Sequence, residues 1–302
     1  MSGTVIEERE AVRPTAQSPH RASGFLHRHR WLQLSGLLSA PMLWLVVAYL
    51  GALAMMFITA FWTTDPFTND VVRVWSLDNF KQLVSDRAYL NVAVRSVVVA
   101  SLVTLVCAVI ALPMAFFMAR VVRPRWRGAF VVAVLTPLWA SYLVKVYAWR
   151  VMLQTDGVLD SVLKPLGLSS PGFGLAAIVI VLTYLWLPYM ILPVYAGFER
   201  LPDSYVDASS DLGARTTRTF RSVMLPMVFP SLVAGSIFTF SLSLGDYITA
   251  QIVGGKVQLI GNVVQTNIVL DLPFAAAVAT IPVAIMILYL ALVRRTGALN
   301  NL

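Results

Sequence analysis

The chain has 302 residues, of which 58% are hydrophobic and 13% are charged, and its mean hydropathy is +0.75. Soluble domains carry about 25% charged residues, so this composition excludes a soluble fold and predicts that lipid covers much of the surface. The net charge of +8 does not indicate a nucleic-acid partner, because the basic residues cluster in short segments between apolar runs.

The N-terminal tail, residues 1–34, is polar and rich in arginine, proline and serine. Such a composition cannot bury enough apolar surface to fold, so the tail is predicted to be disordered. Its arginines could lie on anionic lipid headgroups, although a plain topology signal explains them as well. Its three histidines, His20, His27 and His29, have no partner ligands nearby, and no metal site is expected on this chain.

Six apolar runs follow the tail, and each is long enough to cross a bilayer, which takes about 20 residues. They cover residues 36–62, 92–119, 128–151, 173–198, 227–250 and 272–293. Several contain proline, which membrane helices tolerate because neighbouring groups satisfy the freed carbonyls. The sequence therefore predicts an all-α integral membrane protein with six transmembrane helices, whose membrane domain covers residues 35–298.

The basic residues predict the orientation of these spans. Arginines cluster in the tail, in the loops after the second and fourth runs, and at the C-terminus. With six spans, all four of these segments lie on one side, whereas the loops on the other side carry mixed charges. The pattern predicts a multi-pass protein of the bacterial cytoplasmic membrane with both termini in the cytoplasm.

The cytoplasmic loop over residues 199–226 has the clearest functional pattern. Pro202 and Asp203 are typical of a helix start, and Gly213 can end a helix in a left-handed conformation. The segment between them is amphipathic and has a face of small and apolar residues, which suits a groove on another protein. That face is predicted to hold Tyr205, Ala208, Ser209 and Leu212, with Asp207 and Asp211 on a neighbouring face.

This loop resembles the signature of the permease subunits of binding-protein-dependent ABC importers. The family pattern is Glu-Ala-Ala, three residues, Gly, nine residues and Ile-x-Leu-Pro. This chain has Asp207-Ala208-Ser209, Gly213 and Val223-Met224-Leu225-Pro226 at the same spacing. The shorter Asp207, in place of glutamate, alters the expected contact with the ATPase.

The resemblance implies the type I ABC importer permease fold, in which this segment is a coupling helix seated in a cleft of a cytoplasmic ATPase. The residues to which it assigns ATPase coupling are Asp207, Ala208, Ser209, Asp211, Leu212, Gly213 and Ala214. It also implies the partners: a second homologous permease subunit, two cytoplasmic ABC ATPase subunits and an extracytoplasmic solute-binding protein.

Three further stretches resemble the spermidine/putrescine permeases. They are residues 76–80, residues 137–149, and residues 245–249 followed by the glycine-containing pairs 254–255 and 261–262. The likeness covers most of the chain from about Leu32 onward and implies a polyamine substrate. Lys145 stands where that branch has arginine and Ala250 where it often has proline, and permeases for phosphonates, iron and other solutes share much of the pattern.

Asp246 is the acidic residue that the polyamine hypothesis depends on. A charge at the centre of a membrane helix costs about 2.5–3.5 kcal/mol, so it normally faces a pore or a partner. Aromatic rings can bind an ammonium group through their faces. The candidate substrate-pathway residues are Asp246, Tyr247, Trp139 and Trp149.

An alternative interpretation gives Asp246 a structural role. It follows the start of the fifth run by roughly 27 Å of helix, which places it near the outer interface, where a carboxylate is tolerated. There it would pair with Lys145 or Arg150.

Catalytic patterns are absent from the sequence. Gly255-Lys256 resembles the end of a phosphate-binding loop, but the first glycine is missing and Val257 replaces the required hydroxyl residue. Cys107 is single and lies in an apolar run. No catalytic residue and no cofactor is therefore expected on this chain, and ATP and magnesium would bind the partner ATPase. An ion-driven secondary carrier and a membrane scaffold remain alternatives, but neither explains the spacing from Asp207 to Pro226.

Overall fold

The computed structural model describes residues 30–65, 67–68, 70–167 and 169–295. The chain divides into two units, residues 1–55 and residues 56–302. The prediction of a disordered tail falls on residues 1–29, which lie outside the described residues, and on residues 30–34, which are already helical.

The first helix, α1, spans Arg30–Thr59 and contains Pro41. None of its residues from Pro41 to Thr59 is buried, although the segment is strongly apolar. An apolar helix with exposed sides is suited to lipid or to another protein's helices.

A short outer segment follows α1. Strand β1, Thr63–Thr64, pairs antiparallel with β2, Val71–Val72, and helix α2 spans Asp78–Ser85. The buried Asn79 amide donates to the carbonyl oxygens of Ala60 at 3.0 Å and Trp62 at 2.8 Å. This two-stranded hairpin is a small departure from the all-α prediction.

The second and third predicted spans differ in regularity. Helix α3, Arg87–Phe116, continues into a π-helical turn, Phe117–Val121. The third run is two helices, α4 at Pro124–Trp139 and α5 at Tyr142–Leu153, which meet at 89°. The run predicted over residues 128–151 is therefore bent into two helices and is not one continuous helix. Pro137 removes a hydrogen bond from the end of α4, and Ala140 is extended at the break.

One short helix precedes the fourth span, and two more join the fourth span to the fifth. Helix α6 spans Val158–Leu163, α7 spans Leu175–Arg200, α8 spans Asp203–Asp211 and α9 spans Thr216–Thr219. A second π-helical turn, Phe220–Met224, leads into α10, Leu225–Leu244. The fifth span therefore ends at Leu244 rather than at residue 250, because the chain turns at Gly245 before the short helix α11.

The remaining helices complete the membrane domain. They are α11 at Ile248–Val253, α12 at Ile260–Leu270 and α13 at Leu272–Arg295. Five helices in the described part of the chain are long and apolar enough to cross a membrane, or six if the bent pair α4 and α5 counts as one span. Only with this pair does the number match the six spans that the sequence predicts.

The core forms around α7, which packs against α3 and α10. The largest cluster of buried side chains includes Cys107, Leu182, Met190 and Phe198. A Cβ on Gly197 of α7 would lie 2.8 Å from Cβ of Ser231 on α10, so a glycine is needed for this close approach. The fourth and fifth spans, which the loop over residues 199–226 connects, are thus held directly against each other.

Candidate functional site

The short helix α8 begins where the sequence predicts a start. The preceding Pro202 has φ −64° and an extended ψ of 136°, which suits proline because its ring fixes φ near this value. Leu201, just before it, is buried and fixes the loop to the core. The chain therefore turns sharply between α7 and α8 at Pro202.

The end of α8 is a Schellman motif. Gly213 has φ +75°, its N–H donates to the Ser210 carbonyl at 2.8 Å, and the Ala214 N–H donates to the Ser209 carbonyl at 3.1 Å. These two bonds satisfy carbonyls that a helix end leaves free. The predicted break at Gly213 is confirmed, because a glycine adopts this φ without the steric cost that a side chain imposes.

The exposed side of α8, which we call the coupling surface, consists of Tyr205, Asp207, Ala208, Asp211 and Leu212. Leu212 is 88% exposed, which leaves an apolar side chain available for a partner. Two carboxylates lie beside it. The surface is therefore both apolar and acidic.

The inward side of α8 packs on the rest of the protein. Val206 packs against the main core cluster, and Ser209 Oγ lies 2.9 Å from Thr219 Oγ1. Ser209 neighbours Tyr205 and Leu212 by helical spacing, but it lies at the inner edge of that face, is half-buried and does not belong to the exposed coupling surface. Ser209 contacts α9 instead.

Arg120 also contacts this loop, which local sequence reasoning missed. Its guanidinium donates to the Asp203 carboxylate and to the Leu201 carbonyl. Arg120 belongs to a basic cluster that the sequence explains fully as a topology signal. No pattern within the loop identifies a partner 83 residues earlier in the chain.

The other candidate site is a cavity of about 290 Å³ near the break after α10, which we call the acidic cavity. It is lined by Tyr142, Trp186, Ser241, Leu242, Gly245, Asp246, Tyr247 and Ile248. Its lining combines one carboxylate with three aromatic side chains. Two of the four predicted pathway residues, Asp246 and Tyr247, lie together in it.

Asp246 is buried and accepts hydrogen bonds only from neutral donors in the described part of the chain. The Thr249 backbone N–H donates to one oxygen at 2.8 Å, and the Thr249 hydroxyl lies 3.2 Å from the other. The Tyr142 hydroxyl donates to that second oxygen. Asp246 thus caps α11, since a carboxylate that accepts the first-turn N–H groups stabilises a helix start.

The alternative that Asp246 pairs with a basic residue is wrong for this structure. The ion pairs between described residues do not join Asp246 to Lys145 or to Arg150. Both cations lie on α5, whose first residue, Tyr142, contacts Asp246. The 89° bend before Tyr142 brings a hydroxyl, and not an ammonium or guanidinium group, to the carboxylate.

The aromatic wall of the acidic cavity centres on Trp186. Its ring stacks on Tyr142 with centroids 6.0 Å apart at 20°, and Tyr189 meets it edge-on at 5.9 Å. The indole Nε1 is buried and has no hydrogen-bond partner among the described residues. Sequence analysis missed Trp186, because it lies inside an uninterrupted apolar span and only the fold brings it to Asp246.

The other two predicted pathway residues do not line this cavity. Trp139 ends α4 and is 83% exposed. Trp149 is half-buried and packs edge-on against Tyr184 at 5.5 Å. The structure therefore separates Trp139 and Trp149 from Asp246 and Tyr247.

Two sequence stretches that carry the family resemblance contact each other beside the cavity. The Asn262 side-chain amide donates to the Tyr247 carbonyl at 2.9 Å. A Cβ on Gly261 would lie 2.9 Å from the Tyr247 Cβ and 3.3 Å from the Asp246 carbonyl oxygen. A glycine at 261 and an asparagine at 262 therefore hold the turn that carries Asp246.

A polar loop between α5 and α7 holds a second buried carboxylate. Asp160 accepts the Ser170 N–H at 3.0 Å, and Lys164 Nζ lies 3.1 Å from it. The Ser170 backbone N–H and then the Lys164 ammonium hold the pKa of Asp160 below its usual value. Across the described residues, no three His, Cys, Asp or Glu side chains come close enough to hold a metal ion.

Comparison with known proteins gives concordant matches. The family model described as "Binding-protein-dependent transport system inner membrane component" matches residues 109–297. The inner membrane ABC transporter permease protein YdcU of Escherichia coli K12 is 41% identical, covering 95% of this chain and 98% of that protein. The spermidine/putrescine transport system permease protein PotB of Haemophilus influenzae is 30% identical, covering 85% and 92%.

Solved structures match as well. A bacterial ABC transporter that imports the acidic polysaccharide alginate aligns with a TM-score of 0.67 at 15% identity, covering 91% of this chain and 99% of that chain. The MetNI methionine ABC transporter aligns with a TM-score of 0.52 at 19% identity, covering 72% and 99%. At these identities the likeness concerns the fold alone.

Proposed function

Since the chain belongs to the family of inner membrane components of binding-protein-dependent transport systems and is a permease subunit of an ABC importer, we propose that its solute is a polyamine such as spermidine or putrescine. Its fold is the type I importer permease fold. The observation that carries the proposal is the acidic cavity, where Asp246 lies among aromatic side chains.

The chemistry of the acidic cavity favours an organic cation. Neutral donors hold Asp246, so its negative charge is available to an ammonium group. Trp186, Tyr142 and Tyr247 add aromatic surfaces, and each cation–π contact contributes about 0.5–2 kcal/mol. The 30% identity to a spermidine/putrescine permease supports the same class.

Other solutes of this family fit the cavity less well. A phosphonate is anionic and would meet the Asp246 carboxylate, which is unfavourable for like charges in a partly dry site. A ferric ion requires several hard ligands, and Asp246 is the single carboxylate lining the cavity. The permease YdcU, at 41% identity, has a name that specifies no solute, so a different small solute remains the second candidate.

The coupling surface is proposed to dock on a cytoplasmic ATPase subunit. Tyr205, Ala208 and Leu212 offer apolar contact, and Asp207 and Asp211 offer charge. Ser209, Gly213 and Ala214 act differently in this proposal, because their hydrogen bonds shape the helix that presents those side chains.

The importer is proposed to contain this chain, a second homologous permease, two ATPases that bind ATP and magnesium, and an external solute-binding protein. An alginate importer that resembles this chain in fold has been solved with a loaded periplasmic protein. Both termini lie in the cytoplasm in this arrangement. ATP binding closes the ATPases, displaces the coupling surface and opens the pathway outward, and hydrolysis resets it. A separate ATPase therefore performs the hydrolysis.

The first test is purification of the tagged chain from its native membrane, with identification of the co-purified proteins. The ATPase activity of the complex is then measured with its binding protein and spermidine or putrescine. Co-purification of an ATPase and a second permease, with stimulation by the polyamine, is the expected result. A complex that polyamines do not stimulate would refute the solute, and a chain that purifies alone would refute the assembly.

Leu212→Glu tests the docking surface in the same preparation. Burying a leucine side chain in an interface contributes about 1.5–3 kcal/mol to the free energy of association. The variant is therefore expected to lose most of the co-purified ATPase. Leu77→Glu is the matched control, because Leu77 is likewise exposed but lies on the proposed outer side. Equal ATPase recovery with Leu212→Glu and Leu77→Glu would contradict the docking surface.

A further inference from the structure

Arg120 joins the second span to the turn at which the coupling helix begins. It lies in the π-helical turn Phe117–Val121, at the end of α3. One terminal nitrogen donates to the Leu201 carbonyl and the other to the Asp203 carboxylate. These two acceptors flank Pro202, so the planar guanidinium holds both sides of the turn in one geometry, which a point charge cannot do.

Arg120 depends on these two contacts because its side chain is largely buried. Its side chain is only 17% exposed, whereas that of Asp203 is 82% exposed. A charge that has lost most of its water needs hydrogen-bond acceptors in the protein. The buried Nε has none among the described residues, so the contacts with Leu201 and Asp203 provide the compensation for burying this cation.

Aromatic packing connects the same region to the fourth and fifth spans. Phe116, four residues before Arg120, meets Phe198 at 5.7 Å and Phe220 at 5.5 Å, both edge-on. Phe198 is near the end of α7 and is fully buried, and Phe220 begins the second π-helical turn. The ends of three spans are therefore packed together beside α8.

The coupling helix is held at both ends, and each attachment adjoins a π-helical turn. Arg120, within the first such turn, holds its start, and Thr219, directly before the second, contacts Ser209 near its end. In the first turn the Val122 N–H donates to the Phe117 carbonyl, five residues back, at 3.0 Å. Single π-helical turns are rare in proteins as a whole, but those that occur are often found at functional sites.

We propose that Arg120 is a positioning residue that transmits displacement of the coupling helix to the second span. The inference rests on the proposed docking of α8 on an ATPase. The loop is covalently continuous with α7 and, through α9, with α10, so movement of α8 reaches those spans in any case. Span α3 is not covalently joined to this loop, and beyond its packing against α7 and α10 the Arg120 guanidinium attaches it by hydrogen bonds to the start of α8.

The test compares Arg120→Ala with Arg123→Ala in the complete reconstituted importer. Arg123 is exposed and lies in the same loop, so both variants remove one positive charge from the same side of the membrane. The measurement is solute imported per ATP hydrolysed, with ATPase recovery recorded for each variant. Arg120→Ala is expected to lower this ratio at least about tenfold, the scale of one charge-assisted hydrogen bond. Arg123→Ala is expected to leave the ratio unchanged.

Two further variants keep the test decisive if Arg120→Ala assembles poorly. Arg120→Lys retains the charge without the planar fork, and Asp203→Asn removes the charge of the exposed acceptor. Both are expected to assemble and to lower the ratio by an intermediate factor. A ratio equal to that of the unaltered protein in the assembled fraction of all three variants would overturn the proposal. If the unaltered chain recovers no ATPase, the docking proposal fails instead, so the two failures are distinguishable.

Discussion

The two ends of the membrane domain use carboxylates in opposite ways. At the coupling surface Asp207 and Asp211 are exposed, and the adjoining residues Pro202 and Gly213 set where the helix starts and breaks. At the acidic cavity Asp246 is buried, and one of its donors, Tyr142, is 104 residues away in the chain. The surface proposed to meet a protein partner keeps its charges in water. The cavity proposed for a small solute holds its charge with neutral donors.

The donors at Asp246 explain why this difference matters for transport. An arginine or lysine partner would neutralise the carboxylate and compete with a cationic solute. Tyrosine and threonine hydroxyls satisfy its hydrogen-bonding capacity without cancelling its charge. In the proposed importer, where the acidic cavity lies at the outer end and the coupling surface at the inner end, the cavity is suited to brief binding of a cation and the surface to a lasting contact with a protein.

The largest effect is expected at the inner end, from Gly213→Val. A left-handed residue with a Cβ costs about 1–2 kcal/mol, and a branched one is a steric outlier there. No atom lies within 4 Å of the Cβ position, so the effect comes from the backbone and not from a clash. We expect uptake per assembled complex to fall roughly five- to thirtyfold, with ATPase recovery preserved.

Gly213→Asn is the matched control for that variant. Asparagine tolerates the left-handed region and occurs at this position of helix ends, so it is expected to retain most of the uptake. Unchanged uptake with valine would show that the Schellman turn is not needed for coupling. Equal losses with valine and asparagine would assign the effect to side-chain bulk.

At the outer end, Asp246→Asn removes the charge of the acidic cavity while keeping its size. Polyamine uptake is expected to fall about tenfold, as for loss of one charge-assisted hydrogen bond to an ammonium group. The measurement is uptake of labelled spermidine, normalised to the amount of the chain in the membrane. Unchanged uptake would leave Asp246 with its capping role on α11 alone.

Tyr142→Phe separates charge from packing at the same site. It removes one hydroxyl donor and keeps the ring that stacks on Trp186. The carboxylate retains its charge and both Thr249 donors, so uptake is expected to fall less than with Asp246→Asn. A larger loss for Tyr142→Phe would mean that the hydroxyl, and not the carboxylate, is the group on which the solute depends.

The difference between the two ends also explains what the sequence could predict. The start of α8, its break at Gly213 and most of its exposed face follow from residue types within a few positions of each other. The orientation of the whole helix, which places Val206 and Ser209 toward the protein, depends on Thr219 and the core, and helical spacing alone does not predict it. Trp186 reaches the acidic cavity, and Asn262 the turn beside it, only through the fold.

The spans show the same limit at the level of the fold. Hydropathy identifies apolar runs, and six of them agree with the structure when α4 and α5 count together. It does not detect the breaks after Trp139 and Leu244, because one polar residue at each, Ser141 and Asp246, barely lowers the mean hydropathy of the run. Those two breaks bring Tyr142 to Asp246 and so create the cavity.

A smaller effect is expected from the packing that joins the two ends. In Gly197→Ala the added methyl carbon would lie 2.5 Å from Ser231 Oγ and 2.8 Å from its Cβ. Such overpacking costs about 1–3 kcal/mol, so the thermal unfolding temperature of the purified complex should decrease. Gly128→Ala is the control, because no atom lies within 4 Å of its Cβ position. A similar unfolding temperature for both variants would mean that α7 and α10 move apart to accept the methyl group without loss of stability.

The smallest effect is expected from pH at the polar loop that contains Asp160. The pKa of this carboxyl is lowered on folding, so its contribution to stability is present above the unfolded pKa and is lost only as pH falls through the lower folded value. The pKa of Lys164 is raised by hydrogen bonds to Asp156 and Asp160, so its contribution to stability is lost only as pH rises through that higher value.

Between about pH 5 and pH 8 both Asp160 and Lys164 keep their charges. The rate of limited proteolysis of this loop, divided by the rate for a reference substrate, should therefore stay constant over this range. Asp160→Asn is expected to increase cleavage at all of these pH values, because it weakens the attachment of Ser170. Protection that disappeared between pH 8 and pH 5 would show that another titrating group, and not the Asp160–Lys164 pair, holds the loop.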